Sequence, residues 1–118
     1  MSTVSELLHA NLHDVFGNRD AGSRRRVVER IYAADVVFTD PEATLHGRQE
    51  LEGKAAALLA EAPEEFDLVA EGLSYASETT GAMGWAFGPV GAPVVRGIDI
   101  IRVRDGVIVE LETFFAAA

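Results

Sequence analysis

The sequence predicts an α+β domain, a curved antiparallel sheet wrapped around three N-terminal helices. Apolar residues recur at helical spacing through the first half of the chain and alternate with period two through the second. Helices first and a strand meander last is the α+β order. Asp105-Gly106, between the last two apolar runs, forms a tight hairpin because both residues tolerate positive φ.

The elements follow in order. Residues 3–16 read as one helix, with Val4, Leu7, Leu8, Leu12, Val15 and Phe16 on its apolar stripe, Ser2 or Ser5 at its start and Gly17-Asn18 at its end. Residues 23–34 read as a second helix facing inward through Val27, Val28, Ile31 and Tyr32. Residues 36–39 are rich in β-branched and aromatic residues and form a short strand that Pro41 stops, and 44–46 form a small return strand. A third helix covers 48–60, with Leu51, Ala55, Leu58 and Leu59 inward and Pro63 beyond it. Four longer strands cover 66–78, 80–88, 93–104 and 107–115. The open end of a sheet curved around helices leaves a cavity, a usual place for a ligand pocket.

Composition sets the limits. The 118 residues suit a single domain, 1–118, at 48% hydrophobic and 25% charged. A net charge of −9 disfavours nucleic acid and anionic membrane surfaces as partners. The Arg24-Arg25-Arg26 run reads as a solvated helix face pairing with Glu29. With no cysteine, disulfides and thiolate chemistry are excluded. No signal peptide or bilayer-spanning run is visible, so a cytoplasmic location is expected. No metal, phosphate or cofactor fingerprint is present, and His9 and His13 lack a surrounding metalloprotease pattern, so no cofactor is expected.

One strand breaks its own pattern. Over 93–104 the arginines Arg96, Arg102 and Arg104 share one face, while Asp99 stands among Val95, Gly97, Ile101 and Val103 on the other. A carboxylate on an apolar face must be paired, hydrogen-bonded or protonated. It is therefore either a structural ion pair or a functional acid. Asp40 shares a face with Val36 and Phe38 and precedes Pro41. It reads either as a turn former whose carboxylate caps nearby backbone N–H groups, or as a second cavity acid. Met83, Trp85 and Phe87 form the bulky, inward side of the preceding strand, and Val107, Val109, Leu111, Thr113 and Phe115 that of the last.

In these residues the chain resembles the ketosteroid isomerase branch of the NTF2-like, or SnoaL-like, superfamily. The resemblance runs from Val28 onward: Ile31 to Pro41 as helix end, strand and Asp-Pro; His46-Gly47-Arg48 before the third helix; Gly81-Ala82-Met83 followed by Trp85; and Asp99-Ile100-Ile101-Arg102-Val103 as the Asp-x-x-Arg strand. It implies a cone-shaped sheet closed by the three helices (an NTF2-like, cystatin-like α+β barrel), a homodimer packed through the sheet, and a cofactor-independent isomerase that moves a proton α to the carbonyl of an apolar polycyclic substrate. By the same resemblance Asp40 is the proton-shuttling base and Asp99 the protonated donor to the oxyanion. Leu12, His13, Phe38, Met83, Trp85 and Phe115 are expected to line the pocket. Leu12 stands where the isomerases carry a donor tyrosine, so His9, His13, Tyr32 and Tyr75 are the candidate replacements. The other readings are a SnoaL-like polyketide cyclase and a non-catalytic ligand-binding or scaffold domain. An epoxide hydrolase fits less well, because Arg96 faces away from Asp99.

Overall fold

The computed structural model describes residues 2–117. Three helical segments pack on one face of a six-stranded sheet of order β2-β1-β6-β5-β4-β3. Helix α1 (Val4–His9) starts at Thr3, whose side chain accepts from the Glu6 N–H while the Glu6 carboxylate accepts from the Thr3 N–H. It then widens into a π-helical segment, Ala10–Phe16, where one α-helix was expected. The Gly17 N–H bonds the Leu12 carbonyl five residues back. Along this stretch Asn11, Leu12 and Val15 are all buried, so Asn11 joins the inward stripe.

Helix α2 (Ala21–Ile31) is capped by Asp20 and starts two residues ahead of the expected Ser23. It ends at Ile31, and β1 (Tyr32–Thr39) begins at once. Ala33 and Ala34 favour helix, but pairing of Tyr32 with Ile108 overrides that local preference. β2 is Thr44–His46, and α3 is Arg48–Glu61, opened by Gly47 at φ 89°. The strands β3 (Asp67–Ala76), β4 (Thr80–Gly88), β5 (Val95–Arg104) and β6 (Val107–Phe115) form the expected antiparallel meander.

Two corrections concern the sheet. It is mixed, because β1 runs parallel to β6. A bulge between β5 and β6 shifts the register after Arg102, so the inward residue near the hairpin is Ile108 and not Val107 or Val109. Further register shifts in β1 and β3 help the sheet curl around the helices. The core lies between, built from Leu7, Leu8, Val28, Ile31, Leu51, Ile101 and Leu111.

The arginine run is not a free face. Arg24 is buried and pairs with Glu52 of α3 at 2.7 Å, not with Glu29, while Arg25 approaches the same carboxylate. The Glu52 pair docks α2 on α3, and Arg24 also donates to the Asn18 carbonyl in the loop before α2. No helix among the described residues is long and apolar enough to cross a membrane.

Candidate active site

Asp99 is 6% exposed, in the middle of β5 and facing the helices. Three neutral donors hold it. Trp85 Nε1 on β4 reaches Oδ1 at 2.9 Å, and Thr113 Oγ1 on β6 reaches the same oxygen at 2.8 Å. Asn11 Nδ2 reaches Oδ2 at 3.0 Å. No arginine or lysine pairs with it among the described residues. The ion-pair explanation for an acid on this face is therefore set aside.

The strands account for this arrangement. Thr113 lies directly across from Asp99 on one side and Met83 on the other. Trp85 pairs with Gly97, and a Cβ on Gly97 would collide with the indole and with the Phe114 carbonyl. The bare glycine lets the indole lie across β5, so that its N–H meets the carboxylate two residues on. Trp85 also meets Phe115 edge to face, with centroids 6.1 Å apart.

Behind Asp99 the polar chain continues. Asn11 is fully buried, and its Oδ1 accepts a hydrogen bond from the Tyr32 hydroxyl. Oδ1 thus faces the phenol, and Nδ2 is left to face Asp99. Burial, and then the neighbouring Asp99 charge, push the Tyr32 phenol well above its ordinary pKa. Burial also pushes the Asp99 carboxyl above its ordinary value, against the opposing bonds from Thr113, Trp85 and Asn11.

Asp40 sits at the end of β1 in the opposite electrostatic setting. Its Oδ1 accepts from the Glu42 and Ala43 N–H groups at 2.8 and 2.9 Å, so it is the Asp-Pro turn former of the sequence reading. Its Oδ2 lies 3.3 Å from Lys54 Nζ on α3. Burial raises its pKa, but the two backbone N–H groups and the Lys54 ammonium outweigh burial, and the carboxyl lies below its ordinary value.

Both acids line one cavity of about 220 Å³. Leu12, Phe38, Trp85 and Phe115 line it as the sequence suggests, together with Phe16, Leu68 and Phe87. Two expected lining residues do not. His13 is exposed and stacks on His9 at 5.9 Å, because the buried stripe runs through Leu8, Asn11, Leu12 and Val15 and His13 falls outside it. Met83 is buried in the core and is not among the residues lining the cavity. Of the donor candidates, Tyr32 is buried behind Asn11, whereas Tyr75 is exposed on the outer face. Asn11, Thr113 and Lys54 had no assigned role in the sequence. Among the described residues, no three His, Asp or Glu side chains gather in a way that could hold a metal ion.

This geometry has relatives. Residues 10–111 match the family model of the SnoaL-like domain. A candidate isomerase of the SnoaL-like family from Agrobacterium tumefaciens superposes with TM-score 0.85 at 20% identity, covering 94% of this chain and 95% of that one. A candidate SnoaL-like polyketide cyclase from a Jannaschia species gives 0.77 at 15%, covering 94% and 83%. A candidate ketosteroid isomerase from Kribbella flavida gives 0.72 at 18%, covering 95% and 76%. No curated protein matches the chain at a significant level. At such identities the structural likenesses establish the fold alone. The chain belongs to the SnoaL-like family and has the NTF2-like, ketosteroid isomerase-like α+β fold.

Proposed function

We propose that the protein is a cofactor-independent isomerase that moves a proton α to the carbonyl of an apolar cyclic substrate. The observation that carries the reading is a pair of carboxyl groups lining one apolar cavity, with pKa values driven in opposite directions. Asp40, ionised at neutral pH, is the base. Its Oδ1 is occupied by two backbone N–H groups, which leaves Oδ2 to take the α proton. The C–H electron pair becomes the enolate double bond, and the carbonyl π pair moves to oxygen. Asp99 serves in its protonated form, which burial favours, and donates from Oδ2 to that oxygen. Asp40 then returns the proton to the far end of the allylic system.

The cavity volume of about 220 Å³ is below the roughly 300–1,000 Å³ typical of drug-sized ligands. One or two rings fill it, and any further ring of a polycyclic substrate lies outside the mouth. The test is conversion of β,γ-unsaturated cyclic ketones, from a single ring to a 3-ketosteroid, followed through the ultraviolet absorbance of the conjugated enone. Asp40→Asn is expected to slow it by about 10²–10⁴-fold. Conversion that is absent, or unaffected by Asp40→Asn, overturns the reading.

The same protein is proposed to act as a homodimer packed through the outer face of the sheet. Two adjacent cross-strand rows there are largely apolar, Gly84–Ile98–Phe114 and Tyr75–Ala82–Ile100, the second ending at the exposed Glu112. Tyr75, Ile98 and Phe114 are exposed in the single chain. The Arg96–Glu71 and Arg102–Glu110 pairs flank these rows, the polar rim that a self-complementary patch needs.

A further inference from the structure

Lys54 is the one basic side chain among the described residues lining the cavity. It is 23% exposed, and its ammonium lies 3.3 Å from Asp40 Oδ2, the oxygen left free by the turn. In the resting site Asp40 and Lys54 form a neutral pair. Proton abstraction changes that balance. The α proton goes to Asp40 Oδ2, the carboxylate becomes a neutral acid, and Lys54 loses its counter-ion. The negative charge has moved to the substrate oxygen in the same cavity. An unpaired ammonium against a mostly apolar cavity wall is unfavourable, and the enolate is the anion formed as that pairing is lost. Glu42, the other charged residue on the cavity wall, is exposed and hydrated, and so is a weaker partner.

We propose that Lys54 is the electrostatic counter-ion of the enolate, a second source of charge stabilisation beside Asp99 in a site where Leu12 provides no donor. The inference rests on the proton-transfer reading of Asp40. It explains why a base would be tied to a lysine that weakens it. The same cation that lowers the proton affinity of Asp40 favours the charge-separated state after transfer.

The test uses 4-nitrophenolate, a planar oxyanion whose absorbance reports binding, in mildly alkaline buffer. Asp40→Asn, which mimics the protonated base and leaves Lys54 unpaired, is expected to bind it roughly tenfold more tightly than the wild type. Asp40→Asn/Lys54→Met is expected to lose that gain. Equal binding by the single and double variants overturns the proposal, because relief of repulsion from Asp40 then accounts for the whole effect. In turnover, Lys54→Met is expected to lower kcat on the order of tenfold or more with KM for a neutral ketone little changed, and Lys54→Arg to recover part of the loss. An unchanged kcat in Lys54→Met also overturns it. Failure of the underlying reading has a separate signature: wild type and Asp40→Asn convert the ketone alike.

Discussion

Asn11 and Asp99 are joined by a buried hydrogen bond, Nδ2 to Oδ2 at 3.0 Å, across 88 residues of chain. The bond ties the π-helical segment to the middle of β5. It also fixes the amide, since the opposite end of Asn11 accepts from Tyr32. Helix, sheet and the end of α2 therefore meet at one carboxylate.

Replacing Asn11 by leucine keeps the approximate volume and removes both bonds. The Tyr32 hydroxyl is then buried without an acceptor, which costs about 1–3 kcal/mol. Asp99 loses a bond that opposes its upward shift, so its pKa is expected to rise further. Urea denaturation near neutral pH measures the first effect; unchanged stability contradicts the buried network.

Gly97→Ala tests how the indole is placed. The new Cβ collides with Trp85 and with the Phe114 carbonyl, so the ring must tilt and its N–H must leave Asp99. Overpacking of this kind costs about 1–3 kcal/mol. Trp85 is the one tryptophan of the sequence, so intrinsic fluorescence reports the site directly. A shifted emission maximum and a lower denaturation midpoint are expected, and an unchanged spectrum contradicts the packing described.

The two acids have opposite linkage to pH. Asp40 has a lowered folded-state pKa, so its stabilisation is present above the unfolded value of about 3.9 and is lost as pH falls through the folded value. Asp99 has a raised folded-state pKa, so its contribution is greatest below about 3.9 and declines as pH rises toward the folded value. Asp40→Asn is therefore expected to destabilise at neutral pH, with the loss shrinking in acid. Asp99→Asn is expected to gain on the wild type as pH rises from 4 toward neutrality, the neutral amide accepting from Trp85 and Thr113 as before. Denaturation midpoints across that range separate the two, and parallel curves for both variants contradict the assignment.

Dimerisation through the outer face is tested by Ile98→Lys and Phe114→Glu. Both side chains point away from the cavity side of the sheet and sit in one cross-strand row. Light scattering is expected to give a dimer for the wild type and a monomer for the variants with unchanged circular dichroism. A wild-type monomer removes the proposal.

Much of this was readable from residue order. Strand alternation placed Asp99 inward and Arg96 outward, as found, because a period of two allows no intermediate facing. The position before Pro41 marked the turn that holds Asp40. Asn11 was missed although it breaks its pattern in the same way, as an amide four residues after Leu7 and three after Leu8 in an apolar stripe. The resemblance to the isomerases drew attention to Leu12 and His13 instead, although ordinary helical spacing already sets Asn11 on the buried stripe and His13 beside it. Lys54 flanks the inward stripe of α3 and looks like any surface lysine until β1 brings Asp40 beside it. The inward role of Ile108 depended on a bulge, and a one-residue shift is invisible in a run of alternating valines and isoleucine.

The central claim is that one cavity holds an ionised acid and a neutral one at neutral pH. The most direct measurement is a carboxyl-carbon NMR titration of aspartate-labelled protein, with the Asp40 and Asp99 signals assigned through Asp40→Asn and Asp99→Asn. Asp40 is expected to titrate below the ordinary aspartate range and Asp99 above it, and the proposed donor role requires Asp99 to remain protonated at neutral pH. Two ordinary titrations, or an Asp99 already ionised in mild acid, would contradict it.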